Sequence, residues 1–419
     1  MLNENTKAPI CLVIGASHAG INFAFSLRKQ GWTGAIIIFD QDPETPYHRP
    51  PLSKSYLTSA EEANNNLLKS LESYEKENIT LYLNISVKKI DRIHKTIITE
   101  DGAIHQYDKL VIATGARPLI PPIKGLEQAT EVHTLRTANN ATTIRRKVKE
   151  DANKRVLIVG GGYIGLEIAA SLRKLGTSVT LLERESRILA RVTSPEMSQF
   201  FYDVHTLNGV QIHTNKNVSS ITSKGDTNII NCNDNNSYEA ELIILGTGVI
   251  VNTELAKDAG IEIEKGIKVN QACQTNDKDI YAVGDCAFHH NPHYNRFIRL
   301  ESVQNAVDQA KIAAASICGK EVVYNSIPWF WSDQYDIKLQ MVGLRVDCNE
   351  AIIRNEEETT YKFSIWYFLN DELLAVDAIN NAKAYVLGTK FIKNHLKINK
   401  TNLRDSSLKL NLANLILKK

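Results

Sequence analysis

The chain has no two cysteines close enough in sequence to form a reactive dithiol motif. Its six cysteines, Cys11, Cys232, Cys273, Cys286, Cys318 and Cys348, are scattered through 419 residues, and none stands in a Cys-x-x-Cys arrangement. That excludes a sequence-local redox disulfide and a zinc site built on one. The six read as reduced thiols used in packing. Long apolar runs are missing as well. None approaches the roughly 18 residues of a membrane span, and no apolar stretch follows a basic start, so the chain reads as soluble and cytoplasmic, without membrane insertion or secretion. Excess charge of one sign is also absent. The formal net charge is +2, which gives no general attraction for nucleic acid.

What is present is length and apolar content. With 419 residues, 43% of them hydrophobic and 23% charged, two or three domains with sizeable cores are expected. Ile10–Ile14 is a short apolar run suited to a buried parallel strand. Gly15-Ala-Ser-His-Ala-Gly20 follows, then a helical pattern to about Gln30, stopped by Gly31, and a second strand over Ala35–Phe39 that ends at Asp40. Strand, glycine turn, helix, strand and acid in that order make a dinucleotide site. Glycines let backbone approach the pyrophosphate, helix N–H groups hold it, and the acid accepts from ribose hydroxyls. The middle glycine of the pattern is replaced here by Ser17, a small residue with a hydroxyl; Asp42 rivals Asp40 for the ribose.

The pattern recurs in complete form. Arg155–Val159 leads into Gly160-Gly-Gly-Tyr-Ile-Gly165, a helix through Leu175, and a strand over Ser178–Leu182 that closes on Glu183. Gly160, Gly162 and Gly165 occupy all three glycine positions. Glu183 favours NADH, because a carboxylate accepts from the 2′-hydroxyl and repels a 2′-phosphate. Arg184 and Arg187 nearby are the opposing candidates for a phosphate contact. Beyond Ile327 the strand–helix alternation gives way to strand-rich runs at Lys338–Leu344, Glu350–Ile353, Tyr361–Leu369 and Glu372–Ala378, which marks a third domain.

Three further segments carry a resemblance: Pro46-Tyr-His-Arg-Pro-Pro-Leu-Ser-Lys54, Leu110-Val-Ile-Ala-Thr-Gly-Ala-Arg-Pro118 and Ile280-Tyr-Ala-Val-Gly-Asp-Cys286. With Arg299-Leu-Glu-Ser-Val-Gln-Asn-Ala306 and Pro328-Trp-Phe-Trp-Ser-Asp-Gln-Tyr335, the chain resembles the NADH-dependent ferredoxin reductases, flavoproteins that serve oxygenases and cytochromes P450. The likeness spans nearly the whole chain and weakens after about Asn394. It implies an α/β fold of glutathione-reductase-like architecture, with two Rossmann-like dinucleotide-binding domains and a C-terminal α+β domain. The FAD domain is expected at residues 8–117 and 249–326, the NADH domain at 118–248, and the third domain at 327–419.

The resemblance also implies roles. FAD would carry the chemistry, since NADH gives two electrons as hydride, an iron–sulfur protein takes one at a time, and a flavin can hold the second. No acid–base pair or nucleophile is then expected. FAD would be held by Gly15, Ser17, His18, Ala19, Gly20, Asp40, Arg49, Lys54, Ala113, Thr114, Gly115, Asp285, Glu301, Ser302, Val303 and Trp331. Among these, Lys54 would lie near the isoalloxazine, Asp285 on the ribityl chain and Trp331 against the flavin, with Gln304 beside Glu301. NADH would be held by Gly160, Gly162, Tyr163, Ile164, Gly165, Glu167, Glu183, Arg191 and Gly248. Tyr163 would cover the nicotinamide pocket and Glu167 would meet the carboxamide, the two lying one helical turn apart on one face.

Arg296 and Arg299 are expected to dock a small acidic iron–sulfur protein, a ferredoxin or alternatively a rubredoxin. His289, His290 and His293 fall in a segment rich in Pro, Asn and Tyr that reads as a loop, and no metal is expected there. A disulfide reductase is disfavoured for want of paired cysteines. An NADH-sensing flavoprotein of the apoptosis-inducing-factor kind is the alternative from another functional class.

Overall fold

The computed structural model describes residues 8–59, 66–151, 153–356 and 361–417. Most of the amino-terminal stretch read for a leader lies outside the described residues, as do Lys418 and Lys419. The chain forms two compact units, one from Met1–Arg49, Glu61–Arg117 and Ile250–Ser326, the other from Pro50–Ala60, Pro118–Val249 and Ile327–Lys419.

The first unit is built on a five-stranded parallel sheet in the order Ile280–Ala282, Lys109–Ile112, Ile10–Ile14, Ala35–Asp40, Ile79–Leu83. Its central strands are continuous apolar runs because both faces are covered. One face is closed by the helices His18–Lys29 and Val303–Ile317, where Ile21, Ala24 and Leu27 meet Ala306, Ala310 and Ala313. The small alanines let the two helices lie close. A three-stranded antiparallel sheet, Val87–Asp91, Thr96–Thr99 and Ile104–Gln106, is inserted before the fourth sheet strand of the chain.

The second unit repeats this plan. Its parallel sheet runs Gln211–His213, Ser178–Leu182, Arg155–Val159, Leu242–Leu245, Val132–Thr134, again with a three-stranded antiparallel insert at Val218–Lys224, Thr227–Cys232 and Ser237–Ala240. The two plans differ in the outermost strand. It comes from late in the chain in the first unit (Ile280–Ala282) and from ahead of the glycine loop in the second (Val132–Thr134).

The second unit also holds the carboxy-terminal antiparallel sheet, ordered Trp329–Gln334, Ile337–Gly343, Glu372–Ile379, Phe363–Leu369, Glu350–Asn355. Alternation decides its two faces. Ile337, Leu339, Ile365, Tyr367 and Ala375 pack into the core shared with the dinucleotide fold. Val342, Trp366, Phe368, Val376 and Ala378 pack the other way, against the helix Ala382–Lys393 and apolar residues near the end of the chain, Leu410 and Leu415 among them. The observed architecture is thus the expected one, two parallel-sheet dinucleotide folds and a carboxy-terminal antiparallel-sheet domain. Among the described residues no helix is long and apolar enough to cross a membrane.

Candidate functional site

The two glycine loops have matching geometry. Gly15 and Gly160 both sit at φ +111°. A Cβ would come 2.3 Å from Ala113 O at Gly15 and 2.3 Å from Gly246 O at Gly160. At the third position a Cβ would lie 1.9 Å from Gly15 O on Gly20 and 2.1 Å from Gly160 O on Gly165. These four glycines are therefore required by the seating of helix against strand. The middle position is different. A Cβ on Gly162 meets nothing within 4 Å, so the protein's own packing does not call for glycine there. The helices that begin at His18 and Tyr163 have no side-chain cap from Ser17 or Gly162, which leaves their first N–H groups to another acceptor. A dinucleotide pyrophosphate fits both loops by space and by charge. In the first loop Ser17 Oγ accepts from Arg49 Nε at 2.8 Å, which ties a guanidinium to the helix start where the pattern lacks its glycine.

The two acids are held alike. Glu183 accepts from Gly161 N at 2.6 Å and Glu185 N at 2.8 Å. Asp40 accepts from Ala16 N and from Asp42 N, the latter at 2.8 Å. Each oxygen keeps a lone-pair direction for a ribose hydroxyl. Asp42 instead accepts from Tyr47 OH at 2.7 Å, so Asp40 occupies the place that matches Glu183. Burial pushes the Asp40 carboxyl up, while the N–H groups of Asp42 and Ala16 work the other way. Asp40, Asp42, Ser17, Tyr47 and Arg49 line one recess.

The remaining residues expected at FAD in the first unit are spread over four segments. His18 and Ala19 open the helix and are buried, the His18 ring lying edge-on to His48 at 5.4 Å. Ala113, Thr114 and Gly115 follow the strand Lys109–Ile112, and Thr114 Oγ1 donates to Asn252 O at 2.8 Å. Asp285 sits in the one-turn helix Gly284–Cys286. That turn is held from behind: Gly284, at φ +83°, donates to Gln309 Oε1 at 2.8 Å, and Gln309 Nε2 reaches His289 Nδ1 at 3.1 Å. Ser302 caps the helix Val303–Ile317 by accepting from Asn305 N at 3.1 Å. Gln304 is buried beside Asp308. Glu301 is exposed and pairs with Arg299 at 2.6 Å.

Arg299 is therefore engaged locally, with Nη1 also donating to Asp285 O at 3.3 Å, while Arg296 lies exposed on the strand Arg296–Ile298. The histidine segment needs a correction. His289 and His290 lie in the strand Ala287–Asn291, not a loop, because it pairs with Ile267–Val269 and Arg296–Ile298. Only His293 is in the turn. Among the described residues no group of three His, Cys, Asp or Glu side chains is placed to hold a metal ion.

In the second unit the feature of note is Glu167, 2% exposed. Its Oε2 accepts from Ser53 Oγ at 2.5 Å and Lys54 Nζ at 2.6 Å, and its Oε1 from Ser332 Oγ at 2.6 Å. Lys54, expected along FAD, is thus the counterion of the residue expected at the nicotinamide carboxamide. Tyr163 opens the same helix. Its hydroxyl donates to Met341 Sδ at 3.0 Å and its ring lies 4.9 Å from Phe330, while burial holds the phenol well above its ordinary range. Ile164 is 48% exposed beside it. Arg191 is exposed in a turn and Gly248 is exposed just before the strand Val249–Val251, its carbonyl oxygen accepting from Leu119 N at 2.9 Å. Arg187 is bound to Ser198 Oγ, Ala190 O and Thr193 O, which leaves Arg184 as the accessible arginine near Glu183. The Trp331 ring lies 5.5 Å from that of Trp329, tilted by 35°, on the strand face opposite to Ser332.

The structure brings together Gly15, Ser17, Gly20, Asp40 and Arg49 in one unit, and Gly160, Gly165 and Glu183 in the other. It groups Lys54 with Glu167 and separates Trp331 from that pair. Ser53, Ser332, Gln334 and His205 were missed as contributors. The available signal was parity, since Ser332 and Gln334 alternate with two tryptophans along a strand.

Residues 10–310 match the pyridine nucleotide-disulphide oxidoreductase family, and residues 329–413 match the reductase C-terminal family. The chain belongs to the pyridine nucleotide-disulphide oxidoreductase family. Within it the chain is an oxidoreductase of the ferredoxin reductase group, as the resemblance implied. It is 39% identical to putidaredoxin reductase CamA of Pseudomonas putida over 95% of both chains. It is 36% identical to rhodocoxin reductase of Rhodococcus erythropolis over 96% of this chain and 93% of that one. The rubredoxin-NAD(+) reductase of Pseudomonas putida is also 36% identical, over 89% and 96%. A solved covalent putidaredoxin reductase–putidaredoxin complex superposes with a TM-score of 0.91 at 38% identity, over 97% of this chain and 98% of that one.

Proposed function

We propose that this protein takes hydride from NADH onto bound FAD and passes single electrons to a small acidic [2Fe–2S] ferredoxin that supplies a cytochrome P450 or another oxygenase. The observation that carries this reading is the pair of matched dinucleotide loops, each with its own carboxylate, in a chain whose buried thiols are inert. Cys11, Cys273 and Cys286 are fully buried, and burial pushes each thiol up, away from the thiolate that a disulfide relay needs. Electrons then leave through a protein acceptor. A rubredoxin is the second reading, favoured by the match to a rubredoxin-NAD(+) reductase along most of the chain.

In this reading residues 8–117 and 249–326 bind FAD, 118–248 bind NADH, and 327–419 form the third domain. Gly15, Gly20 and the helix start at His18 seat the FAD pyrophosphate, with Arg49 adding charge through Ser17. Asp40 takes the adenosine ribose and Asp285 the ribityl chain. Gly160, Gly162 and Gly165 seat the NADH pyrophosphate, Glu183 takes its ribose, and Tyr163 and Glu167 orient the nicotinamide. FAD, when bound, supplies the step between two-electron and one-electron chemistry. Arg296 guides the acidic partner, mainly through association rate; Arg299 does so from a position already tied to Glu301. Six unpaired thiols agree with a cytoplasmic setting.

The test is anaerobic stopped-flow mixing of the purified protein with NADH or NADPH, following the flavin absorbance band. Fast bleaching by NADH and slow bleaching by NADPH is the expected result. A protein that holds a long-lived reduced complex and does not pass electrons to any ferredoxin or rubredoxin would instead be an NADH sensor.

A further inference from the structure

Burying a carboxylate is costly unless its lone pairs find donors, and Glu167 has a donor set that extends beyond its first neighbours. Ser332 has one hydroxyl proton and gives it to Glu167 Oε1. The Ser332 oxygen accepts from Gln334 Nε2 at 3.1 Å. With its amide nitrogen so directed, Gln334 presents Oε1 to His205 Nε2 at 2.8 Å, which requires a proton on that ring nitrogen. His205 Nδ1 is then the acceptor, and Tyr335 OH lies 3.4 Å from it. Burial lowers His205 to about 4, with the Gln334 contact opposing, so the ring is neutral at pH 7 and has one N–H to give.

Every donor in the series Tyr335, His205, Gln334, Ser332 points toward Glu167. Aligned donors polarise one another and strengthen the last bond. Reversing Gln334 would set its Oε1 against the Ser332 oxygen, whose one proton already goes to Glu167, so the carboxylate end fixes the direction and the neutral ring takes the tautomer with its proton on Nε2. Ser332, Gln334 and His205 are all buried, at 0%, 1% and 0% exposure, which shields these groups from bulk solvent.

The strand register explains how one segment supplies two members. Ser332 pairs with Leu339 and Gln334 with Ile337, and those partners face the dinucleotide core. Oε2 of Glu167 is filled by Ser53 and Lys54, and Oε1 is half filled by Ser332. One lone-pair direction is left, and its aim is set by the plane in which Ser332 holds the carboxylate.

Resting on the proposed nicotinamide role of Glu167, we infer that Ser332, Gln334 and His205 are positioning residues. They fix the plane of the Glu167 carboxylate so that its one remaining acceptor direction meets the carboxamide N–H of the nicotinamide. None of the three touches the reacting atoms.

The test uses the FAD-loaded full chain and two readouts, the NAD⁺ dissociation constant by equilibrium titration and the single-turnover reduction rate with NADH. Ser332→Ala should weaken NAD⁺ binding and slow reduction, each by about tenfold, the scale of one charge-assisted hydrogen bond. Ser332→Thr, which keeps the hydroxyl, should recover most of both. In a Glu167→Gln background, adding Ser332→Ala should change either readout by no more than about twofold, because the groups act as one unit. Gln334→Met interrupts the series one step further out and stands in if Ser332→Ala does not fold. Equal losses from Ser332→Ala in both backgrounds would overturn the inference, and so would parent-like NAD⁺ affinity in both Ser332→Ala and Gln334→Met. A parent protein that NADH does not reduce would sink the functional reading, while the NAD⁺ titrations would still decide the positioning role.

Discussion

Replacing Glu183 by alanine should move the cofactor preference from NADH toward NADPH. In the parent the carboxylate is pinned by Gly161 N and Glu185 N at 2.6 and 2.8 Å, and in the proposed role its remaining lone pairs accept from the NADH ribose. Losing one hydrogen bond to a charged acceptor costs about 1.5–3 kcal/mol. Removing a half-exposed charge that repels a 2′-phosphate relieves about 1 kcal/mol more for NADPH. Together these narrow the NADH:NADPH ratio of kcat/KM by about 10²–10³-fold. Arg184, exposed and paired among the described residues with the adjacent Glu185 at 3.2 Å, can then meet the phosphate, whereas Arg187 is bound to Ser198, Ala190 and Thr193. The assay is steady-state reduction of ferricyanide with each nucleotide. Asp40→Asn is the control, since it alters the matching acid of the other loop and should weaken FAD retention without changing the nucleotide preference. An unchanged ratio in a Glu183→Ala protein that still holds its flavin would refute the argument.

Two further outcomes follow from the same geometry. Burial pushes the Asp377 carboxyl up to about 7, against the Tyr367 hydrogen bond and the Arg345 charge. The unfolded chain therefore releases this proton at lower pH than the folded one, and stability falls as pH rises from about 4 to about 7. Asp377→Asn should melt like the parent near pH 4 and roughly a few degrees higher at pH 8, read by the fluorescence of Trp366 in the same sheet; a gap that does not change with pH would count against it. Gly165→Ala places a Cβ 2.1 Å from Gly160 O and should raise the NADH dissociation constant by at least about tenfold with FAD content unchanged. Retained NADH affinity would show that the loop can yield.

What could be read from the sequence was local in the chain. Gly20 is needed because of Gly15, five residues earlier, and Gly165 because of Gly160, so motif spacing carries the contact itself. Asp40 and Glu183 each fall at the end of the next strand, where parallel pairing with the first strand places them beside the loop. The Glu167 site lacked that property. Ser53 is 114 residues from Glu167 and Ser332 is 165 residues away, and an isolated serine has no feature that separates a buried donor from a surface one. His289 and His290 were misread because Asn, Pro and Tyr follow them, yet those residues turn the chain only after Ala287–Asn291 has paired on both sides. The Trp-Phe-Trp-Ser-Asp-Gln segment shows most directly where such reading stops. Composition drew attention to its tryptophans, and period-two alternation would have put Phe330, Ser332 and Gln334 on one face. Which face meets Glu167 follows only from register against Ile337–Gly343, a pairing decided by the packing of both sheet faces. In that segment the conspicuous aromatic side chains Trp329 and Trp331 lie on one side, while on the other Ser332 reaches the buried carboxylate and Gln334 reaches Ser332.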